Sequence, residues 1–172
     1  AINLSEVDGI TIKAKHKATC HCGSVEIELD LPEGLIDVRR CDCSLCRRRG
    51  AIVASVPLSG IRVVKGKHAL KLYQFNTKTA KHYFCINCGV YTHHQRRSNP
   101  SQYGFNVACL EGVNPLKIEG VPHMMESTTL QIGKAHNQLL KYTPGLAALR
   151  GTAYTSFRPP LSKTVTFLLV PR

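Results

Sequence analysis

Hydrophobic and polar residues alternate over much of this chain. In "KATCHCGSVEIELDL" (17–31), Val25, Ile27 and Leu29 fall on one side while Glu26, Glu28 and Asp30 fall on the other. A repeat of two is the period of a half-buried strand. "LPEGL" follows as a turn, and "IDVRRCDCSLC" reads as a strand feeding a cysteine-rich loop. "AIVASVPL" is a second apolar run, ended by Pro57. "IRVVKGKHALKLYQF" predicts two short strands around Gly66, joined as a hairpin. "AKHYFCINCGVYTHH" predicts a strand, a C-x-x-C-G knuckle and a second strand, with Gly89 suited to the positive backbone angle of a tight turn. "YGFNVACL" predicts one more strand. Strands recurring about every ten residues, with no long amphipathic helix between them, predict a mainly β fold.

The pattern changes after Glu126. All eleven acids lie at or before that residue, and no cysteine follows it. Residues 134–150 suit a short helix broken at Pro144-Gly145, and "TVTFLLV" has strand character that needs cover. The chain is therefore expected to divide into a domain over 1–125 and a basic extension over 126–172, packed on the domain or on a partner. A homodimer is left open.

The 172 residues suffice to bury one core, which the absence of Trp and a 6% aromatic content make aliphatic. No apolar run reaches the roughly 18–20 residues that span a bilayer. The first residues show no signal-peptide pattern. The expectation is a cytoplasmic protein with no membrane partner. A formal net charge of +12 raises the question of nucleic acid. The acid-free tail inflates that figure, and aromatic side chains for base stacking are sparse, so nucleic acid is a disfavoured partner.

Eight cysteines carry the candidate chemistry: Cys20, Cys22, Cys41, Cys43, Cys46, Cys85, Cys88 and Cys109. They read as C-x-C, C-x-C-x-x-C, C-x-x-C and one alone. An even count suits a secreted disulfide scaffold. A cytosolic chain keeps its thiols reduced, however, and neighbours such as Cys20 and Cys22 would close a strained ring. Metal fits better. Zinc takes four tetrahedral ligands, and each close Cys pair supplies two from one turn. Two pairs from distant parts of the chain complete a closed site. The central cluster supplies three ligands and leaves one position open, which is the division between structural and catalytic zinc. Spacing alone does not say which pairs join. Seven bound thiolates and two zinc ions would also lower the net charge by about three. Cys109, in an apolar run, reads as a buried core thiol. His21 reads as exposed.

The motifs "CHCGSVEIEL" (20–29), "CDCSLCRRRGA" (41–51), "YFCINCGVYTHH" (83–94) and "YGFNVACLEG" (103–112), in this order, resemble the glutathione-dependent formaldehyde-activating enzyme family, also called the centromere protein V family. The likeness covers roughly residues 15–120 and stops before the tail. It implies a mainly β, Mss4-like zinc fold with two zinc ions per chain. Carried across, Cys20, Cys22, Cys85 and Cys88 would hold the structural zinc. Cys41, Cys43 and Cys46 would hold the catalytic zinc with its fourth position open. The implied activity is that of a carbon–sulfur lyase adding glutathione, or a similar small thiol, to formaldehyde to give S-hydroxymethylglutathione.

Three thiolates on a divalent ion leave a net charge of −1, which weakens its Lewis acidity. Arg39, Arg40, Arg47, Arg48 and Arg49 flank the cluster and could offset that field, hold substrate carboxylates or form a solvated rim. Arg47, Arg48 and Arg96 are the candidates for substrate binding, together with His93 and His94. Alternation turns the two histidines to opposite faces, so one could shuttle protons near the open zinc while the other is structural. The alternative reading is a non-catalytic zinc module whose basic surface binds nucleic acid or a protein partner.

Overall fold

In the computed structural model, which describes residues 2–124, the alternating runs become strands. Three short ones come first: β1 (Ile2–Leu4), β2 (Glu6–Val7) and β3 (Ile10–Thr11). Strands β4 (Lys15–Thr19) and β5 (Glu26–Asp30) flank the first cysteine pair, and β6 (Leu35–Cys41) runs into the central cluster. A one-turn helix, α1 (Cys46–Arg49), and β7 (Val53–Pro57) lead out of it. Next come β8 (Ile61–Lys65), β9 (Leu70–Tyr73) and β10 (Lys81–Cys85). Strands β11 (Tyr91–Gln95), β12 (Gln102–Asn106) and β13 (His123–Met124) complete the described chain. The fold is mainly β, as the alternation predicts. Among the described residues, no helix is long and apolar enough to cross a membrane. The expected basic extension, 126–172, lies outside the described residues.

The largest sheet runs β1-β6-β7-β12-β11-β10-β9, with β13 added parallel to the end of β6. A smaller sheet runs β4-β5-β8. Val25, Ile27 and Leu29 are buried as alternation requires, and share one aliphatic core with Val38, Ala54, Val56 and Phe105 from the large sheet. Fully burying a Val, Leu or Phe side chain contributes on the order of 1.5–3 kcal/mol, so this core decides which face of the large sheet turns inward. The residues of opposite parity form a row across four strands. His82 pairs with His94, His94 with Gly104, and Gly104 with Ser55.

The expected hairpin over 61–75 does not form. Both strands exist, but β8 pairs with β5 and β9 with β10, so the link at Gly66 carries the chain from one sheet to the other. Gly66 has a φ of 73°, and a Cβ there would lie 1.8 Å from the Ser24 carbonyl oxygen. Only glycine tolerates that close approach.

Two ladders shift register. Between β6 and β7 the pairing moves from Ile36↔Ser55 to Arg39↔Val53, and Asp37 sits at a φ of 55°. Between β10 and β11 it moves from Tyr83↔His93 to Phe84↔Tyr91, which leaves Thr92 as an extra residue. A bulge re-aims the side chains beside it. Tyr91 thereby turns to the face that carries His94.

Candidate metal centres and the polar sheet face

Sulfur atoms converge in two places. Cys20, Cys22, Cys85 and Cys88 form one group and Cys41, Cys43 and Cys46 the other; within each, the sulfurs lie within 4.8 Å of one another. All eight cysteines are free thiols, which removes the disulfide reading. The four-cysteine group joins two knuckles of like construction. Gly23 N donates to Cys20 O at 3.0 Å, and Gly89 N donates to Cys85 O at 2.8 Å. Both glycines have a φ of 71°. The Ser24 hydroxyl and then the Ser24 N–H lower the Cys22 thiol to about 6. Tetrahedral zinc with bonds near 2.3 Å sets its sulfurs about 3.8 Å apart. The observed Cys20–Cys22 and Cys22–Cys85 separations are 3.6 and 3.7 Å. Donor type and spacing therefore both fit zinc.

In the second group, Cys41 ends β6, Cys46 opens α1 and Cys43 lies in the loop between. Cys46 N donates to Cys43 Sγ at 3.4 Å. Hydrogen bonds from the Cys41 and then the Cys46 thiol drive Cys43 far below the thiol range, and bonds with Cys41 and then Cys43 push Cys46 up. The hydrogen bond with Cys43 likewise pushes Cys41 up, so the one thiolate of the trio sits on Cys43; bound zinc would require all three to be deprotonated. Strand β13 pins the loop from outside: Arg40 N donates to Pro122 O at 2.8 Å and Asp42 N to Met124 O at 3.1 Å. Three sulfurs fit three of four tetrahedral positions.

A polar face of the large sheet adjoins this cluster. Arg49 turns inward from α1, with Nη1 3.2 Å from His82 Nδ1 and its guanidinium 4.4 Å from the Tyr91 ring centre. His82 and His94 stack at 5.1 Å. Tyr91 Oη lies 2.5 Å from His94 Nδ1. Burial, and then the neighbouring His82, lower His94 to about 3. Burial and then Arg49 lower His82 to about 4, against the opposing pull of the Cys43 sulfur. Burial and then the Cys46 sulfur push the Tyr91 hydroxyl up. Both histidines are therefore neutral near pH 7, and Tyr91 keeps its hydroxyl proton.

Farther along the same face, Asp37 accepts from Arg39 Nη1 at 2.6 Å, Arg96 Nη1 at 2.8 Å and Ser55 Oγ at 2.8 Å. Arg96 Nη1 also donates to Gln102 Oε1 at 2.6 Å. Burial, then the Arg96 charge, lower the Arg39 pKa, and the Asp37 carboxylate opposes them.

A family model described as glutathione-dependent formaldehyde-activating enzyme matches residues 15–137. The chain belongs to that family. A curated relative from Emericella nidulans, which carries the same family name, is 32% identical over 79 residues. That match covers 44% of this chain and 40% of the relative, so the chain spans less than half of the relative's length. The crystal structure of a Rhodobacter sphaeroides protein, solved as a structural-genomics target, shares 65% identity at a TM-score of 0.61. It covers 63% of this chain and 99% of its own.

The substrate-binding candidates of this family member divide. Arg47 and Arg48 are exposed on α1, where Arg48 Nη1 donates to Ser44 O at 2.5 Å. Their neighbour Arg49 is the one that turns in. His94 and Arg96 belong to the polar face. His93 lies on the opposite face, stacked on Tyr83 at 4.6 Å and edge-on to Tyr103 at 5.5 Å. His21 is exposed, and Cys109 is buried with Sγ 3.7 Å from Tyr91 O. Sequence reasoning misses His82, Tyr91, Asp37 and Ser55. Counting outward from the 85–88 knuckle as a hairpin centre sets His82 opposite Tyr91; the true partner is His94, because the longer turn and the extra residue at Thr92 shift the register.

Proposed function

We propose that this chain is a zinc-dependent carbon–sulfur lyase of the cytoplasm that joins formaldehyde to a small thiol, glutathione or a close relative. Family membership supports the substrate pair. The observation that carries the reading is a three-sulfur cluster, one ligand short of a closed site, beside two neutral histidines.

A zinc ion held by Cys41, Cys43 and Cys46 would supply Lewis acidity and lower the pKa of an incoming thiol. The chain's own residues handle the proton. In the addition, the thiol sulfur bonds to the formaldehyde carbon, the carbonyl π pair moves to oxygen, and the proton lost from sulfur ends on that oxygen. Bases of pKa about 4 and 3 hold such a proton only in transit, which suits His82 and His94 as relays. Tyr91 and Arg49 fix the two rings. In reverse, the same relay returns the proton to sulfur and frees formaldehyde. The four-cysteine group would hold its zinc as a clamp between the turn after β4 and the turn after β10.

The test is elemental analysis paired with exchange NMR on carbon-13 formaldehyde and glutathione, read against the uncatalysed exchange. Wild-type protein is expected to bind two zinc ions per chain and to accelerate exchange. Cys43→Ser is expected to keep its circular dichroism and the zinc of the four-cysteine group, and to lose the acceleration. Exchange no faster than in buffer, or a folded Cys43→Ser as active as wild type, would overturn the reading.

A further inference from the structure

We propose that Arg39 and Arg96 form an anion subsite that takes a terminal carboxylate of the thiol substrate. The inference rests on the reading of the three-cysteine cluster as the thiol site, and it names what that thiol must carry.

Charge balance is the first argument. Two guanidiniums share one carboxylate, Asp37, which leaves the group at +1. The Arg39 and Arg96 side chains are 6% and 13% exposed. Beyond Asp37, the weaker field of the Cys41 sulfur offsets part of the Arg39 charge, and a further anion would complete the balance of a pair held this far from water. The contacts to Asp37, Ser55 and Gln102 all come from Nη1 atoms. Each guanidinium has five N–H donors in a planar fork, a shape that grips a carboxylate through two bonds at once. Asp37 and Ser55 therefore orient both cations without exhausting them.

Position is the second argument. Asp37, Arg39 and Cys41 follow one another at alternate positions of β6, and Ser55 lies in the row that contains His94. Strand residues rise about 3.3 Å each, so the guanidinium that reaches back from Arg39 toward Asp37 sits roughly 7–13 Å from the Cys41 end. In free cysteine the thiol and carboxylate hang from one Cα, which is too short a span. One or two further residues, each adding up to about 3.6 Å, bridge it. The subsite thus selects a peptide thiol with a carboxylate remote from its sulfur.

The experiment is calorimetric titration of the zinc-loaded full chain with glutathione and with glutathione diethyl ester, repeated on Arg96→Gln and Arg96→Lys. Arg96→Gln leaves Asp37 paired with Arg39 and the cluster neutral, so its fold is retained. Wild type is expected to prefer glutathione by about tenfold or more, the worth of a charge-assisted pair. Arg96→Gln should bring the ratio near one, and Arg96→Lys, which keeps the charge without the fork, should fall between. Equal affinity for acid and ester in wild type, or an unchanged ratio in Arg96→Gln, would overturn the subsite. Exchange NMR on the same samples separates the two readings. Ester discrimination without catalysed exchange would sink the lyase and leave the subsite; catalysed exchange that uses acid and ester equally would do the reverse.

Discussion

Replacing Gly104 by Ala should destabilise the protein through one ring, and the effect can be isolated. A Cβ at Gly104 would lie 2.4 Å from His94 Cε1 and 3.1 Å from each ring nitrogen. The ring has nowhere to go, since it stacks on His82 at 5.1 Å and meets the Tyr91 hydroxyl at 2.5 Å. Overpacking of this kind costs about 1–3 kcal/mol. Dislodging the ring also breaks the Tyr91 bond, worth about 0.5–1.5 kcal/mol. Against these, Ala restricts the unfolded chain and returns about 0.4–1 kcal/mol. The net cost is about 2 kcal/mol, or about 4–8 °C in melting temperature for a chain of this size. Gly104 lies in extended strand β12, so no left-handed backbone angle confuses the result. The assay is a double-mutant cycle by thermal melting at fixed zinc, with Gly104→Ala, His94→Ala and both together. With the ring removed, Gly104→Ala should become neutral or slightly stabilising, which gives a coupling of about 2–3 kcal/mol. A coupling below about 0.5 kcal/mol would refute the packing argument.

Burial lowers His93 from 6.5 to about 4, so between those values the unfolded chain binds a proton that the folded chain refuses. Its neutral-state stability is complete above 6.5, is lost as pH falls toward 4, and amounts to about 3 kcal/mol in all; urea midpoints should show a shallower acid slope for His93→Gln than for wild type, and parallel slopes would count against this. Asp37→Asn keeps a residue that tolerates the φ of 55° but removes the carboxylate that Arg39 and Arg96 share. It should cost about 2–3 kcal/mol by urea denaturation, and a loss under about 0.5 kcal/mol would show that the cluster is solvated. Burial pushes the Cys109 thiol up to about 12, so brief iodoacetamide treatment of the native protein at pH 8 should leave it unmodified in a peptide map. Labelling there before unfolding would contradict its place in the core.

Period-two alternation reads correctly wherever one face of a strand rests on the aliphatic core, because a slip of one residue would bury charge. Glu26, Glu28 and Asp30 could not change places with Val25, Ile27 and Leu29. The knuckles are legible for a different reason: two cysteines and a glycine in one tight turn are local chemistry. Long-range causes are not legible in this way. Gly66 looks like a hairpin apex until Ser24, from a distant part of the chain, is seen against it. Asp8-Gly9 carries a local turn signal that the alternation reading passes over. Both residues have positive φ, at 50° and 79°, in the mirror-image turn that joins β2 to β3.

The polar face was hidden because its residues break the rule that exposes the rest. Counting by twos from His93 assigns Tyr91 to the same side, away from His94. The extra residue at Thr92 reverses that parity and brings the Tyr91 hydroxyl to His94. The register shift around Asp37 likewise coincides with a carboxylate that collects Arg39, Arg96 and Ser55. Gly104, a poor strand former in the middle of a sheet, makes the space for the ring between them. Each is unfavourable as isolated strand chemistry, and together they lie on the sheet face that carries His94, Ser55 and Arg96. Local departures from strand logic that converge on one face are more economically explained by a ligand that uses the face than by separate accidents of packing.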